Sequence, residues 1–265
     1  MKVLFLDAYN LIYRSLSGFK SGEHYVVYNF FRSLRPLIEK HNPDQVYFVL
    51  EGNPKFRSDI SGNTYKSNRK SQGDSFHRQK AAIINIVKEY LPFSVVRHPE
   101  LECDDTIATL SVKHAKEGDS CVIVSSDSDF IQLLNLDLPI SIYHPIKKKF
   151  IPVPDYDYVM WKALRGDATD NIPGIPGVGD KTATKLINDS EMLANKLSIV
   201  ENREIFERNI NLIRLVDFSN DMTLMELSKG RKNFSGLRQV FEDLDFGSML
   251  KDKTWEKYVN TFERL

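Results

Sequence analysis

The sequence predicts an α/β fold, a mainly parallel sheet flanked by helices, followed by a helical C-terminal region. Two observations carry this. Short apolar runs alternate with longer helical patterns through the first 155 residues, as crossovers between parallel strands require. Beyond Asp155 the strand-like runs stop and helical periodicity remains. Strands are expected at Lys2 to Leu6, Gln45 to Leu50, Phe93 to Arg97, Ser120 to Ser125 and Ile140 to Tyr143. Helices are expected around Tyr25 to Lys40, Gln79 to Tyr90, Asp104 to Lys116 and Ser128 to Leu134. Further helices are expected at Tyr156 to Leu164, Lys181 to Ile187 and Arg203 to Val216, with a Gly/Pro-rich turn at Pro173 to Gly179. A weaker helical pattern lies near Trp255 to Phe262. Residues 1–155 therefore read as an α/β core and 156–265 as a helical region whose tail, beyond Lys229, carries no functional signal.

A chain of 265 residues buries a substantial core. Its 36 basic and 36 acidic residues balance, but recognition depends on how charge is distributed rather than on its sum. From Lys55 to Lys80 the sequence holds Lys55, Arg57, Lys66, Arg69, Lys70, Arg78 and Lys80 against Asp59 and Asp74 alone. Elsewhere acids are paired. Such a chain can grip phosphate in one place and metal in another. Cys103 and Cys121 lie in apolar-periodic segments without metal-ligand spacing and read as reduced core residues. The start, MKVLFLDAYN, is too short for a signal-peptide core and reads as a first strand. No apolar stretch approaches a membrane span. The expectation is a cytoplasmic protein that is not secreted, without membrane contact and without a sign of oligomerisation, hence a monomer.

In open parallel sheets, sites form beyond the carboxyl ends of the strands. Asp7, Glu51 and Asp127 fall there, each following an expected strand. An acid in that position also serves as a helix cap or loop residue. Glu102, Asp104 and Asp105 open an expected helix, where acids complement the dipole; three in four residues exceed what capping needs. At about 5 Å and an effective dielectric near 20, each pair repels by roughly 3 kcal/mol, so a cation among them relieves the crowding. Asp129, two residues after Asp127, serves no capping purpose, and Asp167 and Asp170 flank a polar turn. Oxygen ligands without His or Cys point to Mg²⁺, with Mn²⁺ as a substitute. Acids from five separated segments suit two ions that bind the attacking and leaving oxygens of a phosphodiester.

The order of these motifs resembles the structure-specific 5′ nuclease family: flap endonucleases, the 5′→3′ exonuclease domains of bacterial DNA polymerase I, and phage 5′ exonucleases with ribonuclease H activity. The resemblance runs from Asp7 to about Leu186 and is most specific from Gly166 to Ile187, GDATDNIPGIPGVGDKTATKLI. Glu102/Asp104/Asp105, Asp127/Asp129 and Tyr65-Lys66-x-x-Arg69 resemble its other signatures. It implies a PIN-like core with a basic helical arch at about 55–90 and a helix-hairpin-helix at about 167–188. Asp7, Glu51, Glu102 and Asp104 would surround the first metal; Asp104 or Asp105 with Asp127, Asp129 and Asp167 the second, with Asp170 outside. The sequence departs from the family at Glu51, where Asp is usual, and the extra methylene shifts that carboxylate.

The resemblance further implies that Lys66 and Arg69 bind the scissile phosphate, that Tyr65 stacks on a base, and that Lys70, Arg78 and Lys80 guide a single strand. Gly174, Gly177 and Gly179 would let backbone N–H groups approach duplex phosphates, with Lys181 and Lys185 on one helical face beside them and K⁺ held by carbonyls of the turn. Expected partners are branched or nicked duplex DNA with a 5′ flap or 5′ end, an RNA–DNA hybrid, and a separate polymerase, clamp or single-strand-binding protein, in a bacterial or phage-infected cell. Two other readings stay open: a junction-binding protein weakened at Glu51, and a PIN-like ribonuclease, against which the hairpin counts.

Overall fold

The computed structural model describes every residue except 63, 69 and 70. Five parallel strands form the sheet's centre: β1 (Lys2–Asp7), β2 (Gln45–Leu50), β3 (Ser94–Arg97), β4 (Ser120–Val124) and β5 (Ile140–His144). The chain lays β2 and β3 on one side of β1, then β4 and β5 on the other. Asp7 pairs with Val49 of β2, and Leu6 with Val124 of β4. The connections therefore part company between β1 and β4, which opens a crevice at their carboxyl ends. Two short antiparallel strands close the edges, β6 (Lys149–Phe150) beside β5 and, late in the chain, Glu226–Lys229 beside β3.

Both faces of the sheet are covered, so its strands read as continuous apolar runs rather than alternating ones. Leu4, Leu6 and Phe48 pack on one face, under α1 (Ala8–Arg14), α2 (Tyr25–His41) and α4 (Asp74–Tyr90). Val3, Phe5 and Val49 pack on the other, under α5 (Cys103–Lys116) and a 3₁₀ segment at Asp129–Leu136. Between β2 and α4 lies the short α3 (Lys55–Ile60). Within the stretch where an arch is expected, at about 55–90, α4 lies against the core. Phe76, Ile83 and Val87 bury one face of α4 in the core, as its apolar periodicity demands.

The helical unit comprises α6 (Tyr158–Arg165), α7 (Asp180–Asn188), α8 (Ser190–Leu197) and α9 (Val200–Ile213). A two-stranded ribbon, β7 (Gly166–Asp167) with β8 (Ile172–Pro173), starts the turn between α6 and α7. The expectation that strands stop after Asp155 fails here and again at β9 (Glu226–Lys229), which pairs antiparallel with β3. All four β9 residues are exposed, so no alternation marked the strand. The tail then returns to the α/β layer: α10 (Phe234–Asp243), α11 (Gly247–Leu250) and α12 (Asp252–Glu263) bury Leu237, Phe241 and Phe262 against the α2–α4 face. Among the described residues no helix is long and apolar enough to cross a membrane.

One buried cation ties these parts together. Arg57 of α3 is 1% exposed. Its Nη1 and Nη2 donate to Asp105 at 2.7 and 2.6 Å, Nη1 also to Glu102 at 3.0 Å, and Nε to the Leu212 carbonyl at 3.2 Å. Asp105 also accepts from the Val216 backbone N–H at 2.9 Å. The end of α9, the start of α5 and α3 thus meet on one guanidinium, whose planar fork matches the carboxylate. Removing one member strands a buried charge, so Arg57→Ala should cost about 3–5 kcal/mol in urea unfolding. The double change Arg57→Met with Asp105→Leu should cost markedly less, and equal losses would show that packing rather than charge makes the contact.

Candidate metal centre and nucleic-acid contacts

Asp7 ends β1 at the crevice and is 4% exposed. Its Oδ1 accepts from the Asn10 N–H at 3.0 Å, capping α1, and its Oδ2 accepts from the Ser125 hydroxyl at 2.7 Å. Capping and site membership coincide in this residue. Across the switch point, Asn10 exchanges hydrogen bonds with Ser126, and Asp127 accepts from the Asp129 N–H at 2.9 Å. The start of α5 brings Asp104 and Cys103 to Asp7, with ligand atoms of all three within 4.8 Å of one another. A cleft of about 680 Å³ opens onto them, lined also by Glu51, Asp127, Lys66, Lys80 and Arg97.

A second cluster sits beside the first. Ligand oxygens of Asp129, Asp167 and Asp170 lie within 4.8 Å of one another. Lys162 of α6, 3% exposed, places its ammonium between two of them, in contact with Asp129 and 2.6 Å from Asp167. Nothing in the sequence marked Lys162, because no local motif distinguishes it from other lysines on an amphipathic helix. Arg97, whose Nε donates to the Glu51 carbonyl at 3.0 Å, was likewise missed.

Burial shapes the charge of these acids. It pushes Asp7 up to about 6, against hydrogen bonds from Ser125 and Asn10. Burial and then Glu102 push Glu51 up to about 7. Asp104 is held well above the usual carboxylate range by burial and by Asp127 and Asp7. Burial likewise raises Asp129 to about 6, with Lys162 opposing. For Asp167 burial is the largest single influence, but the hydrogen bond and charge of Lys162 together with the backbone N–H groups of Thr169 and Asp170 outweigh it, and its carboxyl falls below the usual value. A group of buried carboxylates that gain protons in the absence of a counter-ion fits a divalent cation. All-oxygen donors of this kind suit a hard one.

The remaining acids are placed as follows. Asp105 faces Arg57 and not the cleft, so its oxygens are engaged away from the metal clusters. Glu102 is gripped by Arg57 at 3.0 Å, by Lys66 Nζ at 2.5 Å and by the Tyr65 hydroxyl at 3.1 Å, while its side chain caps α5. Asp170, given an outer role, belongs to the second cluster. Glu51 does reach the site, where its Oε2 accepts from the Cys103 N–H at 3.4 Å. Cys103, read as a core residue, is buried as expected but points its sulfur at Asp7 and Asp104.

Of the basic stretch, Arg57 is buried in its ion pairs and unavailable to phosphate. Lys66 holds a left-handed backbone, φ 54°, uncommon for a residue with a side chain. Its N–H donates to the Asp170 carbonyl at 3.0 Å, which ties this segment to the second acid cluster. Its ammonium lies 4.9 Å from the Tyr65 ring centre. Tyr65 packs partly against Val159 and Ile172. Arg69 and Lys70 lie outside the described residues. Lys80 lines the cleft with its ammonium 4.6 Å from the centre of the Tyr9 ring, and Arg78 is exposed on α4.

At the α6–α7 turn, Ile175 and Val178 plug into Leu164, Ala183 and Leu186. Gly174 is required: a Cβ there would lie 2.2 Å from the Arg165 carbonyl oxygen. Gly177 turns at φ 76°, and Gly179 caps α7. Lys181 and Lys185 are both exposed on α7, one turn apart.

The comparisons agree with this geometry. Residues 2–160 match the family model described as 5′-3′ exonuclease, N-terminal resolvase-like domain, and residues 153–226 match the 5′-3′ exonuclease, C-terminal SAM fold. The thermostable DNA polymerase I of Thermus thermophilus is 32% identical over 95% of this chain. The DNA polymerase I of Mycobacterium leprae is 31% identical over 90%. The chain spans about a third of the length of these polymerases, 33% and 29%. Among solved structures, the bacteriophage T5 D15 flap endonuclease, in a pseudo-enzyme–product complex with DNA and metal ions, superposes with TM-score 0.65 at 17% identity, covering 99% of this chain and 100% of that one. Human GEN1 in complex with Holliday junction DNA superposes at 0.54 with 16% identity, over 92% and 68% of the two chains. With both modules matched in sequence and in fold, the chain belongs to the 5′-3′ exonuclease family.

Proposed function

We propose that this protein is a divalent-metal-dependent nuclease that hydrolyses phosphodiesters near 5′ ends and junctions of DNA. The observation that carries the proposal is the convergence of buried and half-buried carboxylates from separate segments into two adjoining clusters at the carboxyl ends of the central strands, open to a cleft rimmed by cations. Asp7 and Asp104, with Glu51 and Asp127 beside them, would hold one Mg²⁺, and Asp129, Asp167 and Asp170 a second. Such ions, when bound, supply charge neutralisation of the phosphate and activation of water. Mn²⁺ would substitute.

The chain's own residues do the rest. Asn10 and Ser125 fix the end of β1 against the end of β4, so Asp7 and Asp127 keep their spacing. Lys66 and Lys80 reach the cleft and attract the scissile phosphate. Lys162 neutralises part of the second cluster and would have to yield Asp129 or Asp167 to an ion. The α6–α7 hairpin presents backbone N–H groups, Lys181 and Lys185 to duplex phosphates, contacts that position without reading sequence. A K⁺ ion at that hairpin, RNA primers paired to DNA as further substrates, and a polymerase, clamp or single-strand-binding protein as partner belong to the same reading. So does a cytoplasmic location.

Labelled 5′-flap DNA, an RNA–DNA hybrid and single-stranded RNA, each with Mg²⁺, Mn²⁺ or EDTA, test it directly. Flap cleavage should need the metal, and Asp104→Ala should abolish it while junction binding in Ca²⁺ persists. Binding without cleavage under every condition would support the weakened junction binder, and preference for single-stranded RNA the PIN-like ribonuclease.

The raised acids make a separate forecast. Folded values near 6 for Asp7 and 7 for Glu51 lie above their ordinary 3.8 and 4.5, so in that interval these groups hold protons that Mg²⁺ must displace. Mg²⁺ affinity should therefore rise with pH until about 7 and level off above it. Calorimetry in two buffers of different ionisation enthalpy should show proton release below that pH; pH-independent binding would mean that these acids are not ligands. Finally, changing Lys181 and Lys185 together to Ala should weaken duplex binding and lower the slope of log K against log salt by about 2, at roughly 0.9 per phosphate contact. An unchanged slope would leave both lysines as solvent-facing charges.

A further inference from the structure

A cavity of about 570 Å³ lies between α5, the 3₁₀ segment, the start of α6 and the chain that follows α9. It shares no lining residue with the cleft over the acids, and its size is that of a small-molecule site. Ala108, Val112, Leu133, Leu138, Val159 and Leu215 give it an apolar lining. Leu136, which also lines it, is 48% exposed. The neutral polar side chains of the wall are spent on fixing it. Gln132 donates to the Asp129 and Ile213 carbonyls at 2.8 and 3.2 Å and accepts from the Leu215 N–H at 3.0 Å. Thr109 donates to the Val216 carbonyl at 3.1 Å and accepts from the Phe218 N–H at 3.3 Å. Asn135 donates to the Tyr156 carbonyl at 3.1 Å and accepts from the Tyr158 N–H at 3.3 Å. These bonds pin the walls, so the cavity is preformed.

Its charged groups are not equally engaged. Asp157 accepts from the Met160 N–H at 2.9 Å as the cap of α6, and Asp217 from the Ser219 N–H at 2.9 Å. The Ser219 hydrogen bonds, and after them the charge of Lys116, hold the Asp217 carboxyl below its usual value. Arg214 is exposed, and among the described residues its guanidinium forms no hydrogen bond or ion pair. What the cavity leaves unmatched is apolar surface and the guanidinium of Arg214.

We propose that this cavity binds a medium-chain alkyl carboxylate, with the chain against Leu133, Val159 and Leu215 and the carboxylate on the Arg214 guanidinium. The planar fork of an arginine takes a carboxylate through two parallel hydrogen bonds. A neutral apolar ligand leaves that charge unmatched, and a cationic one is repelled by it. The two acids do not reverse the preference, because each is already turned to a backbone N–H of its own turn and Lys116 stands against Asp217. The apolar lining makes affinity grow with chain length, roughly fourfold for each further CH₂ buried. No carboxylate of the acid clusters lines the cavity, so the site is independent of the nuclease reading.

Decanoate is the probe, titrated below its micelle concentration into the methyl-labelled full chain and followed by NMR. The methyl shifts should centre on Val112, Leu133, Val159 and Leu215 and saturate, and affinity should rise roughly tenfold from octanoate to decanoate. Decanol and decyltrimethylammonium keep the chain and change the head, and each should bind at least roughly tenfold more weakly. Arg214→Gln should weaken decanoate roughly tenfold and leave decanol unchanged. Val112→Trp, which fills the cavity, should abolish binding of both, with urea unfolding as the check that the variant folds. If it does not fold, the surface change Arg214→Gln carries the test. Shifts centred elsewhere, no binding of decanoate, equal binding of the cation, or wild-type decanoate affinity in Arg214→Gln each overturns the proposal.

Discussion

The structure depends on the mutual repulsion of buried carboxylates and on the few cations that make it bearable. Asp7, Glu102, Asp105 and Asp170 are each less than a tenth exposed. At separations of about 5 Å, unpaired charges of this kind would oppose folding by several kcal/mol in sum. The chain answers with Arg57, Lys66 and Lys162, all drawn into the acid cluster, and with hydrogen bonds from Ser125, Asn10 and Tyr65. Each cation comes from a different element: α3, the segment before α4, and α6. Neutralising the cluster therefore also joins the helical unit to the sheet, because Arg57 and Lys162 lie on opposite sides of that boundary.

Those cations divide the acids into two kinds. Asp105, clamped by the fork of Arg57 and by the Val216 N–H, is structural. Glu102 is shared among Arg57, Lys66 and Tyr65. Asp7, Glu51 and Asp104 receive less compensation, and burial pushes all three upward. Lys66 is placed to respond to phosphate: it pairs with Glu102, lies 3.9 Å from Asp170 and borders the cleft. A phosphate in the cleft would compete with those carboxylates for its ammonium, and would thereby change the charge balance of the second cluster through this one side chain.

The tail shows a different constraint. The face of α2 and α4 is apolar along its length, and a single sheet with helices over it would leave that face wet. Residues beyond 226 supply the missing layer, with Phe241 meeting Phe31 and Phe246 at a tilt and Trp255 and Tyr258 edge to face. The antiparallel β9 also covers an edge of β3 that would otherwise present unpaired backbone groups. The segment the sequence left without a role is therefore a structural cover.

Much was legible in the sequence because it is local. The apolar periods placed the five central strands, and the strand-end rule located Asp7, Glu51 and Asp127. The order of motifs identified the family, and the glycines and prolines marked the hairpin. What remained hidden was pairing across the chain. No local pattern tells that Arg57 lies inside while Lys80 rims the cleft, that Lys162 sits between Asp129 and Asp167, or that Asp105 turns away from Asp104 beside it. On a helix, adjacent residues point about 100° apart, so one acid of the Glu102–Asp105 run reaches the crevice and its neighbour the core. Cys103 was read correctly as buried, but which atoms its sulfur would face was decided only when β1 and α5 came together. Sequence by itself determined which residue types were present at the strand ends; the tertiary structure decided which charges were neutralised inside the protein and which were left for a metal.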